Sequence, residues 1–321
     1  MNEYMCSQDI YELILMRENE LFDVDDRLVM LTFDNNYVNQ TINLMLSIVK
    51  HQSKKVSFYC VCLDLEEENV LKLLDLEIGV QVRIYQFNYK VDTGHWPQAT
   101  LLRVFSPWLL DSCVEKILYL DSDILCCGSL DELYELDTPY IAMGNEISGN
   151  VSSGNRKNKK SLPEEHPAWL YCNAGVAVLN LRNIREHYEF ADMFHKCCDI
   201  CSTYYCNDQD FLNLFFYGKI TYFNGLCYNF QPYELKGTVF YQYAVNKCRL
   251  IHFSSEKPWK DTGDRAIMRL YLTHSEYAPM RELVKKAYKA SVLKAPYRAV
   301  YKQVIAIKRS IKNGKRASVG R

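Results

Sequence analysis

The sequence predicts an α/β protein built on an open, mostly parallel sheet with helices on both faces. Two observations carry this. Short apolar runs alternate with segments of helical period through the first 120 residues, the rhythm of strand–helix–strand units that cover a parallel sheet with helices. One of those runs ends in a pair of aspartates, Asp121 and Asp123, at the strand end where open α/β sheets form their ligand clefts.

The elements follow in order. Residues 1–26 read as an acidic helical extension, with Ile10, Leu13, Ile14 and Leu21 as a partial apolar stripe. Residues 28–33 (LVMLTF) suit a buried strand, and residues 38–51 have helical period through Ile42, Met45, Leu46 and Val49. A β-rich run at 56–63, a helix at 66–76, a strand at 80–87, a helix at 100–110 and a strand at 116–120 continue the alternation. Residues 145–168, rich in Gly, Ser, Asn and Lys, read as a long loop and candidate lid. Beyond it come an apolar stretch at 175–181, helices near 184–197 and 208–217, and a late strand at 249–253. Residues 230–246 carry no pattern that assigns them a chemistry.

Hydrophobic content of 48% with 24% charged residues is that of a chain able to bury a core. Residues 281–321 hold 13 Lys and Arg against the single acid Glu282, a charge of +12, so the first 280 residues carry −13 of the net −1. Within that tail Tyr297, Val300, Tyr301, Val304 and Ile311 fall at helical spacing among Arg298, Lys302, Lys308, Arg309 and Lys312. This basic amphipathic pattern reads as a contact with an anionic membrane surface rather than nucleic acid; a helix docked on the body by its apolar stripe is the plain alternative. The chain therefore divides into an extension at 1–26, a main α/β domain at 27–280 and a basic tail at 281–321. No apolar run approaches the ~20 residues of a membrane span. The opening MNEYMCSQDIYE is not a signal-peptide pattern, so the expectation for the 13 cysteines is free thiols in the cytoplasm. Cys197, Cys198, Cys201 and Cys206 are grouped closely enough to raise a zinc site, but they lack paired C-x-x-C knuckles and read as thiols on or near a helix.

Two carboxylates closing an apolar strand are hard oxygen ligands suited to Mg2+ or Mn2+ carrying phosphate. Alone, Asp121-Ser122-Asp123 is equally a solvated turn. The same pattern also serves as the nucleophile motif of haloacid-dehalogenase-type phosphatases, but those carry Thr or Val where this chain has Leu125 and place the motif on an early strand.

The surrounding residues separate these readings. Thr32-Phe-Asp-Asn-Asn-Tyr37, Arg103, Leu118-Tyr-Leu-Asp-Ser-Asp123, Tyr171-Cys-Asn-Ala-Gly-Val176, Asn207-Asp-Gln-Asp210 and His252-Phe-Ser-Ser-Glu-Lys-Pro-Trp259 occur in that order. Together they resemble glycosyltransferase family 8 over roughly residues 27–260. The resemblance implies a GT-A type nucleotide-sugar-binding fold and retaining transfer of a hexose, galactose or glucose, from a UDP-sugar to a glycan or lipid-linked glycan acceptor. It also implies Mn2+, with Mg2+ as the alternative, held by Asp121, Asp123 and His252. Asp34, Asn36 and Tyr37 resemble the uridine-binding residues, Arg103, Asn173, Asp208 and Gln209 those lining the donor sugar, and Lys257 a contact to the diphosphate. Gln209 and Asp208 are the candidates for catalysis. The expected setting is cell-surface polysaccharide synthesis, with the basic tail holding the enzyme to the inner face of the membrane.

Each residue also has an ordinary reading. His252 suits a core histidine, Asn173-Ala-Gly a tight turn, Asp208 a helix N-cap, and Tyr37 and Trp259 packing aromatics. Ser255 stands where the family pattern has glycine, with one residue fewer before Lys257, which leaves a nucleotide-sugar-binding protein without transfer as the second functional reading. Clustered carboxylates repel one another, so Asp123→Asn is expected to leave the stability of the metal-free protein unchanged or slightly raised.

Overall fold

The computed structural model describes residues 14–18, 27–63, 65–76, 81–87, 98–145, 166–167, 170–204, 206–260 and 264–293. The apolar runs form strands because their alternate side chains can be buried on both sides of a sheet. The strands are β1 (Ile14–Glu18), β2 (Arg27–Phe33), β3 (Val56–Leu63), β4 (Gln81–Phe87), β5 (Lys116–Asp121), β6 (Ile124–Cys126), β7 (Ile141–Asn145), β8 (Cys172–Asn180), β9 (Ile220–Phe223) and β10 (Leu250–His252). Eight of them form one sheet in the order β1-β4-β3-β2-β5-β8-β7-β9. Strands β2, β3, β4, β5, β7 and β9 run in one direction, and β1 and β8 run against them. A separate antiparallel ribbon pairs β10 with β6.

The alternation of side chains divides the interior into two apolar layers. Met30, Tyr59, Ile117, Tyr119 and Ala177 face one side, with Leu102 and Val104 of the helix Leu102–Leu109, Ile184, Met193 and Phe211 packed on them. Leu31, Phe58, Cys60, Leu120 and Val176 face the other, against Ile42, Met45 and Ile48 of the helix Val38–His51 and Val70 and Leu73 of the helix Glu67–Leu74. Burying a side chain of this size contributes roughly 1.5–3 kcal/mol, which explains why the predicted strands and helices of the first half form within a residue or two of their expected bounds.

Three readings need correction. Residues Ile14–Glu18 form an edge strand antiparallel to β4, where a helical extension was expected; the rest of 1–26 lies outside the described residues. The single helix expected at 184–197 is two, Leu181–His187 and Phe190–Thr203, because Tyr188 and Glu189 are extended. The boundary expected at 280/281 falls within a helix at 278–293. Met280, Val284 and Ala287 of that helix are buried in a third apolar cluster with Phe230, Ile251, Phe253, Ile267 and Tyr271. The amphipathic pattern at 297–312 and nearly all of the candidate lid lie outside the described residues.

Asn43 couples this third cluster to the sheet. It is fully buried on the helix Val38–His51; its Nδ2 donates to Tyr271 Oη at 2.8 Å, and its Oδ1 accepts from Ser275 Oγ and the backbone N–H groups of Glu276 and Tyr277 at 3.1, 2.9 and 2.9 Å. Asn43→Ala strands four polar groups at once, and an unmet buried partner costs about 1–3 kcal/mol. The expected loss is roughly 3 kcal/mol or more, read as a lower urea midpoint with unchanged m-value by circular dichroism.

Candidate active site

Sheet topology assembles the site at the carboxyl ends of the central strands. Parallel β2 and β5 end together, with Thr32 opposite Asp121, while antiparallel β8 begins there, so that Val176 faces Leu120 and Asn173-Ala174-Gly175 lie beside the carboxylates. The β6–β10 ribbon places His252 opposite Ile124, and Phe253 N donates to Asp123 O at 3.0 Å. Residues that are about 130 positions apart in sequence are thereby brought within hydrogen-bonding distance.

His252 Nε2 lies 3.1 Å from Asp123 Oδ1 and 3.6 Å from Asp121 Oδ2. One ligand atom from each of the three residues falls within 4.8 Å of the others, the one such His, Cys, Asp and Glu group among the described residues. Asp123 Oδ1 is buried and accepts no hydrogen bond, an expensive state for a carboxylate oxygen unless a cation is to face it. These observations fit a hard divalent ion bound by two carboxylates and an imidazole. Gly175 makes the approach possible: a Cβ there would lie 2.2 Å from His252 Cε1 and 2.8 Å from Asp121 Oδ2.

Two cations hold the acids in place. Arg103 is 5% exposed; its Nη2 lies 2.9 Å from Asp121 Oδ1, its Nε 3.0 Å from Asp208 Oδ2, and its Nη1 donates to Ala174 O at 2.6 Å. The guanidinium also stacks 4.4 Å from the centre of the Tyr119 ring, and Tyr119 Oη donates to Asp121 Oδ1. Burial opposes the Arg103 charge, but Asp121, Tyr119 and Asp208 outweigh it and raise the guanidinium above its ordinary value. Lys257 pairs with Asp123 Oδ2 and spends its other protons on Phe253 O and Ser254 O, at 2.8 and 3.1 Å. Burial would raise the Asp123 carboxyl; the Lys257 ammonium overcomes it and holds that carboxyl well below the usual carboxylate range.

Gln209 is fixed at both ends of its amide. Its Oε1 accepts from Asn173 Nδ2 and Ala174 N at 3.1 and 3.2 Å, and its Nε2 donates to Tyr171 Oη at 2.9 Å. Asp208 is in the first turn of the helix Asn207–Phe215, whose N-cap is Cys206. Its carboxylate serves Arg103 rather than capping the helix. Asn207 carries the sharp entry to that helix with φ of +40°, a backbone angle that Asn tolerates better than most residues.

A cavity of about 440 Å3 joins these groups, lined by Asp34, Tyr37, Arg103, Asp121, Asp123, Asn173, Asp208, Gln209, His252 and Lys257 among others. Asn36 is exposed and does not line it, and binds Asp34 instead, through its backbone N and its side-chain amide at 2.9 and 3.3 Å. Trp259 packs edge-on against Tyr37 and Tyr271. Several wall residues had no role in the sequence reading: Thr32, Ser122, Gln231 and Glu234. Gln231 accepts from Ser254, and Glu234 from Ser255, the residue standing in the glycine position. The cysteines near 200 gather no metal ligands among the described residues: Cys197 and Cys201 form no disulfide, and their Sγ atoms lie 3.7 Å apart.

An open sheet bearing an aspartate pair at the end of β5, a histidine from a crossing ribbon and a polar cavity above them is the arrangement of a GT-A type fold. The model of glycosyl transferase family 8 matches residues 28–263, and the chain belongs to that family. It is 26% identical over 320 residues to the lipopolysaccharide 1,2-glucosyltransferase of Escherichia coli, covering 93% of this chain and 91% of that one. To the lipopolysaccharide 1,3-galactosyltransferase of Salmonella typhimurium it is 25% identical over 67% of each chain. In fold it is similar to the galactosyltransferase LgtC, solved with donor and acceptor sugar analogs, at a TM-score of 0.60, 22% identity and coverage of 81% of this chain and 95% of that one. It is also similar to the bifunctional glycosyltransferase WbbM, at a TM-score of 0.61 and 20% identity; the match covers 85% of this chain and 53% of WbbM. Membership of the family removes the phosphatase reading.

The pairing of Lys257 with Asp123 reverses one expectation. Asp123→Asn relieves repulsion from Asp121 in the metal-free protein but strips the Lys257 ammonium of its counter-charge, which is the larger effect. The expected result is a loss of about 1–3 kcal/mol, seen as a lower melting temperature in EDTA, alongside loss of metal binding.

Proposed function

We propose that this enzyme transfers a hexose, galactose or glucose, from a UDP-sugar to a glycan acceptor with retention of configuration, in dependence on Mn2+ or Mg2+. The observation that carries the reading is the cluster of Asp121, Asp123 and His252 at the floor of a cavity whose walls are Asp34, Tyr37, Asn173, Asp208 and Gln209. The lipopolysaccharide glucosyltransferase and galactosyltransferase named above support a hexose and a surface glycan.

The metal, held by Asp121, Asp123 and His252, would neutralise charge that builds on the departing diphosphate. Asp34 and Tyr37 bind the uridine end, Tyr37 offering its ring face and Asp34 a polar edge. Asn36 supports them by orienting Asp34. Arg103 fixes Asp121 and Asp208, and Asn173 and Gln209 face the sugar. Lys257 acts mainly as the counter-ion of Asp123, which places it against the diphosphate only through that carboxylate. Gln209 is a weak nucleophile, and its amide is already immobilised. The acceptor hydroxyl therefore attacks on the face that the UDP leaves. The bond from the anomeric carbon to the phosphate oxygen breaks, the bond to the acceptor oxygen forms, and the hydroxyl proton passes to the leaving phosphate. Gln209 stabilises the oxocarbenium-like transition state between them.

Purified protein incubated with a panel of UDP-sugars should release UDP from one donor in Mn2+ and none in EDTA. Metal-dependent UDP binding without release from any donor or acceptor would favour a binding protein, and absence of UDP binding in Mn2+ would overturn the reading altogether.

The basic tail completes the proposal. Residues 294–321 contain nine Lys and Arg and no acid, and they follow a helix that is anchored on the body through Met280, Val284 and Ala287. We infer that this segment holds the enzyme to the anionic inner face of a membrane; among the described residues no helix is long and apolar enough to cross one. Removing residues from 294 onward, which spares the docked helix, should abolish co-sedimentation with anionic liposomes and leave UDP release intact. Unchanged liposome binding would refute the membrane role.

A further inference from the structure

An unbroken chain of side-chain hydrogen bonds runs from the metal site to the sugar side of the cavity. His252 Nδ1 meets Asn229 Oδ1 at 2.8 Å; Asn229 Nδ2 donates to Asn173 Oδ1 at 3.0 Å; Asn173 Nδ2 donates to Gln209 Oε1 at 3.1 Å. Gln209 Nε2 then donates to Tyr171 Oη at 2.9 Å, and Tyr171 Oη to Asp210 Oδ1 at 2.7 Å. Amide orientation is a question of consistency, and here three fixed points settle it. Gly175 N–H donates to Asn173 Oδ1 at 3.0 Å and Ala174 N–H to Gln209 Oε1 at 3.2 Å, so the oxygen of each amide is identified by a backbone donor. At the far end the Asp210 carboxylate can only accept, which makes Tyr171 its donor and Gln209 the donor to Tyr171.

With Asn173 oriented, its oxygen requires the NH2 group of Asn229, and the atom that Asn229 turns to His252 is its carbonyl oxygen. In the neutral form that binds a metal, His252 then carries its proton on Nδ1 and turns the lone pair of Nε2 between Asp121 and Asp123. We propose that Asn229 is the positioning residue of the metal site: it fixes the tautomer and ring orientation of His252, and through Asn173 it makes the metal ligand and Gln209 parts of one polarised network. This rests on the metal-dependent reading of the site given above. Asn229 is 5% exposed, and its backbone neighbour Phe230 pairs with Leu250 and His252 on β10, so its place beside the imidazole is set by the fold. Partners of this kind, one bond removed from a metal, typically change affinity by about 10–100-fold when removed.

Asn229→Ala and Asn229→Asp separate the two functions of this amide. Alanine removes both hydrogen bonds; Mn2+ affinity, followed by the EPR signal of free Mn2+, should fall about 10–100-fold, and the nitrogen coupling of the imidazole in pulsed EPR of bound Mn2+ should weaken or disappear. Aspartate still accepts the Nδ1 proton but cannot donate to Asn173, so Mn2+ affinity and the nitrogen coupling should stay near wild type while kcat for UDP release falls. Retention of wild-type Mn2+ affinity and coupling by Asn229→Ala would overturn the proposal. Where the alanine variant does not fold, the aspartate variant decides alone, and loss of Mn2+ affinity or an unchanged kcat counts against it. Wild-type Mn2+ binding with no transfer from any sugar donor would end the reading of the reaction while leaving the role of Asn229 standing.

Discussion

A single buried cation holds the catalytic end of the sheet together. Arg103 reaches from the helix Leu102–Leu109 to Asp121 at the end of β5, to Asp208 on the helix Asn207–Phe215 and to the carbonyl of Ala174 on β8. A guanidinium suits this position because its planar fork can serve several acceptors in fixed directions and it stays charged when buried. Two carboxylates facing the same cavity would repel each other and spread the strand ends. With Arg103 between Asp121 and Asp208, and Lys257 against Asp123, each of these three carboxylates has a counter-charge on its protein side.

The remaining constraint is space. β8 crosses closest to the carboxylates where Gly175 lies, and any larger residue would meet His252 and Asp121. The same turn of chain donates the Ala174 and Gly175 amides that orient Gln209 and Asn173. Close approach and polar orientation are thus consequences of one backbone segment. Rigid placement of this sort suits a group-transfer reaction, since donors already aimed at the reacting centre need no reorganisation as charge develops.

The fold was legible where burial and period agreed. Strands β2, β3, β4 and β5 and the helix Val38–His51 are dense in apolar residues at clear spacing, and both faces of the sheet are covered. Strands that lack that density escaped notice. β6 is three residues long, β7 contains Ala and Gly in place of β-branched residues, and β9 lies at the sheet edge with Thr221 and Tyr222 outside the core. β1 escaped for a related reason, since an edge strand exists by pairing, and only the proximity of β4 makes that pairing available.

By itself the sequence determined the class of fold and singled out Asp121, Asp123 and His252, which the structure brings together, because those depend on residue type, spacing and a recognisable order of motifs. It also named Gln209, Asn173 and Arg103 as parts of one site. The tertiary structure alone decided who serves whom. Asn229 lies 23 residues before the histidine it orients, Lys257 is committed to Asp123 across 134 residues, and Tyr171 reaches Gln209 from another element. None of these pairings leaves a trace in local sequence, since a hydrogen bond between distant side chains depends on the register and crossing of strands rather than on residue spacing along the chain.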